Sequence, residues 1–342
     1  MKKPERTTIK DVAEAAGVST ATVSNALNGT GRLSDEKRKA IVAVAERLRF
    51  RPNVMAQALT KKRSFTIGLL TDDTYGRFSF PVMRGISEAL VDQGISVFLS
   101  TIDDDPVRAR VHVDALLDRQ IDGLIVSGRR ADLHIPLDLA GVDVPVVYAL
   151  TASPSGHAHV VVDDCHGSYE ATRWLHELGR RRIVHVTGPE AHLAARSRAD
   201  GYRKAIGESG RVLYGVWSEL WGHDAIAALW AEGAPPDGIS CGSDQIARGV
   251  IDALRERGVK VPADVSVVGF DNWEIVAQAT RPPLTTIDMN LKELGKQAGL
   301  MVLAMSRGEM EPDVERRVRC SLVVRQSCGG APGAPQDALG GA

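Results

Sequence analysis

The chain has 342 residues, of which 44% are hydrophobic and 25% are charged, so it has the composition of a globular protein with two or three cores. The absence of any run of ~20 apolar residues and the polar residues that follow Met1 exclude a membrane span and a secretory signal, and predict a cytoplasmic protein. The four cysteines are far apart and have no paired histidines, which argues against a disulfide framework or a metal site, and no cofactor is expected.

Charge is distributed unevenly along the chain. Residues 1–63 hold 14 Lys and Arg against 6 Asp and Glu, a net charge of +8, and the remainder holds 28 against 37, a net charge of −9. A basic module joined to an acidic body is typical of a nucleic-acid-binding protein with a separate regulatory domain. A solvated basic tail is the alternative interpretation.

Two short helices are predicted at the beginning of the basic module. Thr8 and Asp11 form the pattern of a capping box with Asp in place of Glu, and Gly17 ends the first helix. Ser19 is a natural N-cap for a second helix that ends at Leu27, and the short connection gives the spacing of a helix-turn-helix. Apolar residues are predicted on the inner faces of the two helices: Ile9, Val12, Ala13, Ala16, Val23, Ala26 and Leu27.

A third helix should complete this core. Ser34 is its predicted N-cap, and apolar residues recur at helical spacing at Ile41, Val44, Ala45 and Leu48. Pro52 then interrupts the helix, because proline disfavours helical geometry at the preceding residue. Asn53 can cap a new short helix over 54–60.

These motifs resemble those of the lactose-repressor (LacI/GalR) family, and the resemblance continues to about residue 325. It rests on the runs Thr8-Ile9-Lys10-Asp11-Val12-Ala13, Gly17-Val18-Ser19, Thr22-Val23-Ser24 and Asn28-Gly29. The segment Pro52-Asn53 with Ala56-Gln57-Ala58-Leu59 is similar to the hinge helix of that family. The resemblance implies a homodimeric transcriptional regulator that binds a pseudo-palindromic operator.

The resemblance also implies which residues contact DNA. In the family the second helix reads the major groove, so Asn25 would form a bidentate bond to adenine, and Leu59 would be an apolar wedge in the minor groove. The alternatives are that the helix residues merely face solvent and that Leu59 packs on the protein itself. The complete predicted DNA-binding set is Thr8, Ser19, Thr20, Ala21, Thr22, Ser24, Asn25, Asn28, Asn53, Ala56 and Leu59.

In the rest of the chain, β-rich runs alternate with helical segments. The predicted strands are 65–70, 97–101, 123–127, 144–149, 183–187 and 265–270. This alternation predicts an α/β fold with a two-lobed doubly wound parallel-sheet domain. The family resemblance implies that this domain is similar to a periplasmic binding protein and follows the N-terminal three-helix helix-turn-helix domain and hinge helix. The expected divisions are 1–52 for the helix-turn-helix, 53–63 for the hinge helix and linker, 64–325 for the effector-binding and dimerisation domain, and 326–342 for a disordered tail. The lobes would comprise 64–162 with 291–320, and 163–290 with 321–325.

Two enzymatic interpretations fail on the sequence. Residues 238–242 match the Gly-x-Ser-x-Gly nucleophile elbow around Ser240, but the triad order of that elbow requires a later histidine, and the last histidine is His223. No Gly-x-Gly-x-x-Gly follows a strand, so a dinucleotide enzyme is not indicated either. The protein is therefore predicted not to be an enzyme.

Polar residues near the carboxyl ends of strands are the candidates for effector binding. By resemblance to the family, Arg198 and Asp271 bind hydroxyl groups, and Trp217 covers the apolar side of a sugar ring. The structural alternatives are a surface ion pair for Arg198, a helix cap for Asp271 and ordinary core for Trp217. The complete predicted effector-binding set is Asp72, Phe78, Phe80, Arg198, Trp217, Asp244 and Asp271.

The predicted function is a repressor of carbohydrate-utilisation genes that is controlled by a sugar or sugar derivative. His192 and Ala194 stand where a purine-binding relative would keep an arginine and a threonine, which argues against a purine corepressor. An activator, a corepressor-dependent regulator and a binding protein without DNA function remain alternatives. Residues 82–92 and 108–118 are expected to form the dimer-facing helices, on resemblance alone.

Overall fold

The computed structural model describes residues 7–50, 64–103, 105–233 and 235–329. Its contacts divide the chain into two compact units, Met1–Ser64 and Phe65–Ala342. We call the described part of the first the N-terminal unit and that of the second the body. The hinge residues Asn53, Ala56 and Leu59 lie outside the described residues.

The N-terminal unit contains three helices, α1 (Ile9–Ala15), α2 (Thr20–Asn28) and α3 (Asp35–Arg47). Each begins at a predicted cap, because the Thr8, Ser19 and Ser34 side chains accept hydrogen bonds from backbone N–H groups of the first turn. The capping box between Thr8 and Asp11 is present. The buried core consists of Val12, Ala13, Val23, Ala26, Ile41 and Ala45.

The body contains two six-stranded sheets. The strands are β1 (Thr66–Thr71), β2 (Ser96–Thr101), β3 (Gly123–Arg130), β4 (Val146–Thr151), β5 (Ala158–Val162), β6 (Ile183–Thr187), β7 (Arg211–Tyr214), β8 (Gly238–Cys241), β9 (Ser266–Asp271), β10 (Thr285–Asp288), β11 (Glu315–Val318) and β12 (Ser321–Val323). The first sheet has the order β11-β5-β4-β3-β1-β2, and the second has the order β12-β10-β9-β8-β6-β7. All pairings are parallel except that of β12 with β10. The two predicted doubly wound lobes are thus confirmed, and we call them the first and second lobes.

Helices cover the sheets of both lobes, as buried parallel strands require. They are α4 (Ser79–Leu90), α5 (Pro106–Leu117), α6 (Asp164–Glu177), α7 (Leu193–Ile206), α8 (Glu219–Ala231), α9 (Asp244–Glu256), α10 (Glu274–Ala277) and α11 (Leu291–Ser306). Helices α4 and α11 pack closely because glycine allows it: a Cβ at Gly85 would lie 1.9 Å from the carbonyl oxygen of Lys292. Helix α11 therefore packs on the first lobe, although it follows a strand of the second.

The end of the body differs from the prediction. The disordered tail was expected from residue 326, but Ser327 and Cys328 are buried, and the Ser327 hydroxyl donates to the backbone oxygen of Val267 at 2.6 Å. Ser240 is 1% exposed inside β8, where its hydroxyl lies 3.3 Å from Nδ1 of His185, so it does not occupy an exposed elbow. The four cysteines are free thiols. Among the described residues, no helix is both long enough and apolar enough to cross a bilayer.

Candidate functional site

The outer face of α2 presents most of the residues predicted to contact DNA. Thr20, Ala21, Asn25 and Asn28 are exposed, as are Ser19 at the N-cap and Thr8 at the start of α1, and Thr22 and Ser24 are half-buried. The opposite face carries Val23 and Ala26, which are buried in the core. The three-helix core therefore fixes one face of α2 and leaves the other accessible.

Several of these polar side chains already bond to each other. The hydroxyl oxygens of Ser19 and Thr22 are 2.8 Å apart, and the Asn28 side-chain amide donates to the backbone oxygen of Ser24 at 2.9 Å. Asn25 Oδ1 accepts from the hydroxyl of Thr30 at 3.3 Å, an interaction that orients its amide. The face thus holds its polar groups in fixed orientations before any ligand binds.

Arg38 supports the end of α2, a role that sequence reasoning missed. Its guanidinium donates to the backbone oxygens of Asn25 and Ala26, at 3.0 and 3.2 Å, and to that of Thr30. The final carbonyl groups of a helix lack partners within it, and a cation near them is stabilising. Arg38 of α3 therefore fixes the orientation of α2.

The second candidate site is the cleft between the two lobes, at the carboxyl ends of the parallel strands. Asp271 is the last residue of β9, Asp72 follows β1, and Arg198 projects from α7. Asp271 and Asn272 both have positive φ angles, 110° and 51°, which non-glycine residues rarely adopt. Such backbone conformations occur preferentially at ligand sites.

Arg198 and Asp271 come together in the structure, and they share the cleft with a second carboxylate. Arg198 Nη1 lies 3.6 Å from Asp271, and its Nη2 lies 2.7 Å from Asp164. Nη1 also donates to the backbone oxygen of Gly242, and the guanidinium carbon lies 3.7 Å from the centre of the Phe270 ring. Arg198 is therefore a buried ion-pair centre rather than a surface ion pair.

The charges in this cluster perturb one another. Burial works to lower the pKa of Arg198, but the neighbouring carboxylates of Asp164 and Asp271 outweigh it and raise that pKa. Burial raises the pKa of Asp164, although Arg198 acts in the opposite direction. Perturbed titratable groups in a cleft indicate a functional site.

Arg77 is the second cation at Asp271, and sequence reasoning missed its role. It lies in the loop between β1 and α4, in the first lobe, and donates to the carboxylate of Asp271 and to Oε1 of Gln245 at 3.1 Å, both in the second lobe. The signal in the sequence was Arg77 itself, which departs from the Asn-Pro-Phe-Phe pattern that the family usually has before α4. That departure indicated a difference without indicating its partner.

A second polar contact between the lobes involves Asp132. Its Oδ2 accepts from the backbone N–H of Leu193 at 2.9 Å, at the first turn of α7, and it also pairs with Arg130 at 3.1 Å. A carboxylate is stabilised at the N-terminus of a helix. Asp132 of the first lobe thus caps a helix of the second.

Asp72, which was predicted to bind effector, follows β1 and pairs with Arg129 at 3.2 Å. Burial raises the pKa of its carboxyl group. Its Oδ1 has no hydrogen-bond partner among the described residues, and the same holds for the hydroxyls of Ser127 in β3 and Thr187 at the end of β6. Buried polar atoms of this kind can bond to a polar ligand.

Trp217 lies beside Arg198, with its ring 5.6 Å from the guanidinium carbon. Its indole N–H donates to Nδ1 of His192 at 2.9 Å, and a Cβ at Gly188 would lie 2.2 Å from the ring. Glycine at position 188 is therefore required for this placement. Burial lowers the pKa of His192, which favours the neutral ring that accepts this bond.

The structure corrects the prediction for Asp244. This residue is 0% exposed, and its two carboxyl oxygens accept from the Trp273 backbone N–H, at 2.7 Å, and from the Thr286 hydroxyl. Burial raises its pKa to about 8. Asp244 therefore lies behind the cleft and positions the turn at 271–273 instead of facing a ligand.

The two phenylalanines differ from each other. Phe78 is half-buried and packs against the core of the first lobe, and the Arg77 guanidinium carbon lies 5.0 Å from its ring centre. Phe80 is 57% exposed and lies against Gly76. Both side chains border the cavity that Arg77, Asp271 and Trp273 also line.

The cleft can bind a small molecule that offers both donors and acceptors. Carboxylates accept from hydroxyl or amino groups, guanidinium groups donate to oxygens, and the Trp217 ring can cover an apolar surface. In the part of the chain that the structure describes, no group of three His, Cys, Asp or Glu side chains could hold a metal ion.

Comparison with known proteins identifies two family models in the chain. The model of bacterial regulatory proteins of the lacI family matches residues 8–53, and that of a periplasmic binding protein-like domain matches residues 172–328. The first match covers the N-terminal unit, and the second covers most of the second lobe and the end of the first. The first match thus contains α2, and the second contains Arg198, Trp217 and Asp271 of the cleft.

Full-length similarity extends over nearly the whole chain. The HTH-type transcriptional regulator DegA of Bacillus subtilis (strain 168) is 32% identical over 333 residues, which are 94% of this chain and 98% of DegA. The solved lac repressor dimer bound to operator and the anti-inducer ONPF is 28% identical, with a TM-score of 0.70 over 95% of this chain and 99% of that one. The transcriptional regulator CelR in its cellobiose complex is also 28% identical, with a TM-score of 0.65 over 94% of this chain and 100% of that one.

Proposed function

Because this chain belongs to the lacI family of bacterial regulatory proteins, we propose that it represses transcription by binding a pseudo-palindromic operator under the control of a sugar or sugar derivative. The observation that carries the proposal is the presence, in one chain, of an outward-facing helix α2 and a cleft built around Arg198 and Asp271. In this proposal helix α2 binds DNA and the cleft binds the effector. Neither requires a catalytic group.

The DNA contacts are supported by the exposure of α2. Asn25 can pair with adenine in the major groove, and the small side chains Thr20 and Ala21 can contact a thymine methyl group. Ser19 and Thr22 lie at the positive end of the helix, where a phosphate is stabilised. Leu59, which follows the family pattern, is proposed as the minor-groove wedge.

The sugar assignment is supported by the side chains that line the cleft. Asp271 can accept from hydroxyls, Arg198 can donate to them, and Trp217 offers an aromatic face within 5.6 Å of the Arg198 guanidinium. CelR, a structural relative, was solved with cellobiose. Carbohydrate hydroxyls are both donors and acceptors, so they fit a site that contains paired cations and carboxylates.

Homodimerisation is supported by exposed apolar side chains beside edge strand β2. Val91, Phe98, Val107 and Val111 are between 47% and 75% exposed, and they lie on β2 or close to it on the flanking helical segments. A pseudo-palindromic operator requires a two-fold symmetric protein. We propose this edge as part of the dimer interface, which agrees with the expected helices at 82–92 and 108–118.

A ligand screen tests the effector half of the proposal. Thermal unfolding of the full chain is measured with monosaccharides, disaccharides, sugar phosphates and nucleobases, because a specific ligand raises the midpoint by mass action. A carbohydrate should stabilise the wild type and not Asp271→Asn, and it should change the affinity for a duplex selected from a random pool. Stabilisation by nucleobases alone would overturn the sugar assignment, and failure to select any duplex would overturn operator binding.

A further inference from the structure

The Arg77 guanidinium spans the cleft and is held on several sides. It donates to Asp271 and to Gln245 of the second lobe, while the residue itself belongs to the first lobe. The ring centres of Phe78 and Trp273 lie 5.0 and 4.7 Å from the guanidinium carbon. Its side chain is 17% exposed, so both the charged hydrogen bonds and the cation–π contacts are shielded from water.

Asp271 is contacted by two arginines whose other partners differ. Arg198 also pairs with Asp164, at 2.7 Å, and it comes from the same lobe as Asp271. Among the described residues, Asp271 is the one carboxylate within ion-pair distance of Arg77. A ligand that binds the carboxylate of Asp271 therefore competes for it with Arg77 more directly than with Arg198.

We propose that Arg77 is an internal occupant of the effector site that holds the two lobes together until an effector displaces it from Asp271. The role of Asp271 in effector binding rests on the proposed function; the contact between the lobes does not. An effector that replaces Arg77 must donate hydrogen bonds to Asp271 and Gln245. It must also offer an acceptor to the guanidinium it displaces, which requires a molecule with both hydroxyl or amino donors and oxygen acceptors.

Arg77 thereby sets the effector concentration at which the protein responds. A site that is occupied internally binds an external ligand with an affinity reduced by the fraction of time it is free. If the internal contact favours the occupied state about tenfold, its removal increases the effector affinity by about the same factor, which equals ~1.4 kcal/mol. The residue at position 77 is thus a determinant of sensitivity as well as of specificity.

Chemical rescue tests the occupancy without any knowledge of the effector. Arg77→Ala removes the guanidinium, and ethylguanidinium chloride can then enter the space it leaves, between the rings and beside Asp271. We expect ethylguanidinium, at a concentration that leaves the wild-type midpoint unchanged, to raise the thermal midpoint of full-length Arg77→Ala. Ethylammonium chloride, which has the charge but lacks the planar fork, should not do so.

Two variants serve as controls for the rescue. Arg84→Ala removes a 70% exposed arginine that pairs with Glu88, and ethylguanidinium should leave its midpoint unchanged. The double variant Arg77→Ala with Asp271→Asn keeps the space vacated by the guanidinium but lacks the negative charge of Asp271. Ethylguanidinium should therefore not raise its midpoint. Absence of rescue in Arg77→Ala, or an equal rise in the double variant, would overturn the proposal.

A second measurement applies if Arg77→Ala does not fold. Lysine at position 77 keeps the charge but cannot bond Asp271 and Gln245 together as the guanidinium fork does. Gln245→Ala should therefore lower the unfolding midpoint of the wild type and leave that of Arg77→Lys unchanged. Additive effects of the two substitutions would contradict the contact between the lobes. Neither measurement involves DNA or effector, so failure of operator binding in the same proteins would affect only the proposed function.

Discussion

The N-terminal unit and the cleft of the body place their candidate binding residues in opposite environments. On α2 the side chains of Thr20, Ala21 and Asn25 are uncharged and exposed. In the cleft, Arg198 and Asp271 are charged, and their side chains are 6% and 7% exposed. An exposed neutral side chain can be removed with little effect on folding, whereas a buried charge depends on its partner. The comparison therefore predicts that substitutions on α2 change DNA binding with little effect on the stability of the fold. Substitutions in the cleft should change effector binding and stability together.

The largest effect is expected for Arg198→Ala. Removal of this cation leaves the carboxylates of Asp164 and Asp271 buried without it, and breaking a buried pair in this way typically costs ~3–5 kcal/mol of stability. Urea unfolding of the full chain measures the loss, and effector response should be lost with it. Arg196→Ala is the matched control, because Arg196 is on the same helix but exposed, and its guanidinium donates to the backbone oxygens of Glu190 and Ala191. Equal stability of the two variants would show that the Arg198 cluster does not support the fold.

The next effect is a dependence of stability on pH. It comes from two buried groups, Asp244 and His185, whose pKa values are shifted in opposite directions. Burial raises the pKa of Asp244 to about 8, so the folded state retains a proton that an unfolded aspartate loses, and stability falls as pH rises from ~4 to ~8. Burial lowers the pKa of His185 to about 3, so stability falls as pH drops below ~6.5. The two contributions cancel between ~4 and ~6.5 and leave a decline from ~6.5 to ~8, with a slope of at most ~1.4 kcal/mol per pH unit.

Urea unfolding at a series of pH values checks this prediction. Asp244→Asn, which cannot lose a proton, should abolish the decline above neutral pH and uncover the rise contributed by His185 at acid pH. The N-terminal unit has no histidine among its described residues, so its own unfolding should lack the acid component. A decline above neutral pH that persists in Asp244→Asn would assign it to another group.

A moderate effect, confined to recognition, is expected for Asn25→Ala. Loss of a bidentate contact to adenine typically costs ~1–3 kcal/mol of discrimination, while the affinity for unrelated sequences should change little. The measurement is fluorescence anisotropy with the selected duplex and with a scrambled duplex of the same length. If affinity falls equally for both, Asn25 acts through the fold of α2 and not through a base.

The smallest effects are expected for two N-cap serines, Ser34 and Ser19, and they distinguish a helix cap from a DNA contact. Ser34→Ala removes the N-cap of α3 and should cost ~1 kcal/mol of stability in the N-terminal unit, with DNA affinity lowered only to the extent that the unit unfolds. Ser19→Ala removes the N-cap of α2 and, in addition, the hydroxyl proposed to contact phosphate. Circular dichroism and anisotropy measured on both variants should show similar unfolding but weaker DNA binding for Ser19→Ala. Identical binding would remove Ser19 from the contact set.

The same contrast explains what could be predicted from the sequence. The N-terminal unit is held by local signals, such as the Thr8 capping box and the helical repeat through Ile41 and Ala45, and local signals can be read directly from sequence. Several short strands of the body, including β7 and β12, escaped prediction because they have only four and three residues and none of these is fully buried. Their pairing depends on neighbours that are distant in the chain.

In the cleft, sequence reasoning selected Arg198 and Asp271, which the structure places 3.6 Å apart, but it missed the residues that complete their environment. The contacts of Arg77 arise only when two lobes meet, with its partner Asp271 lying 194 positions further along the chain. Asp244 was included in the predicted effector-binding set, but its burial against Thr286 and Trp273 depends on residues that are distant in the chain and cannot be read from the sequence. Ser327 is ordered for a similar reason, since it bonds to strands that close the second lobe.

The most direct test of the account is the salt dependence of full-chain binding to the selected duplex, followed by anisotropy. If the basic N-terminal unit contacts several phosphates, affinity should fall by about a thousandfold or more between ~50 and ~200 mM salt. The selected duplex should remain preferred over the scrambled one throughout, because base contacts and phosphate contacts contribute separately. An affinity that does not change with salt, or that is the same for both duplexes, would contradict the assignment of this chain as an operator-binding regulator.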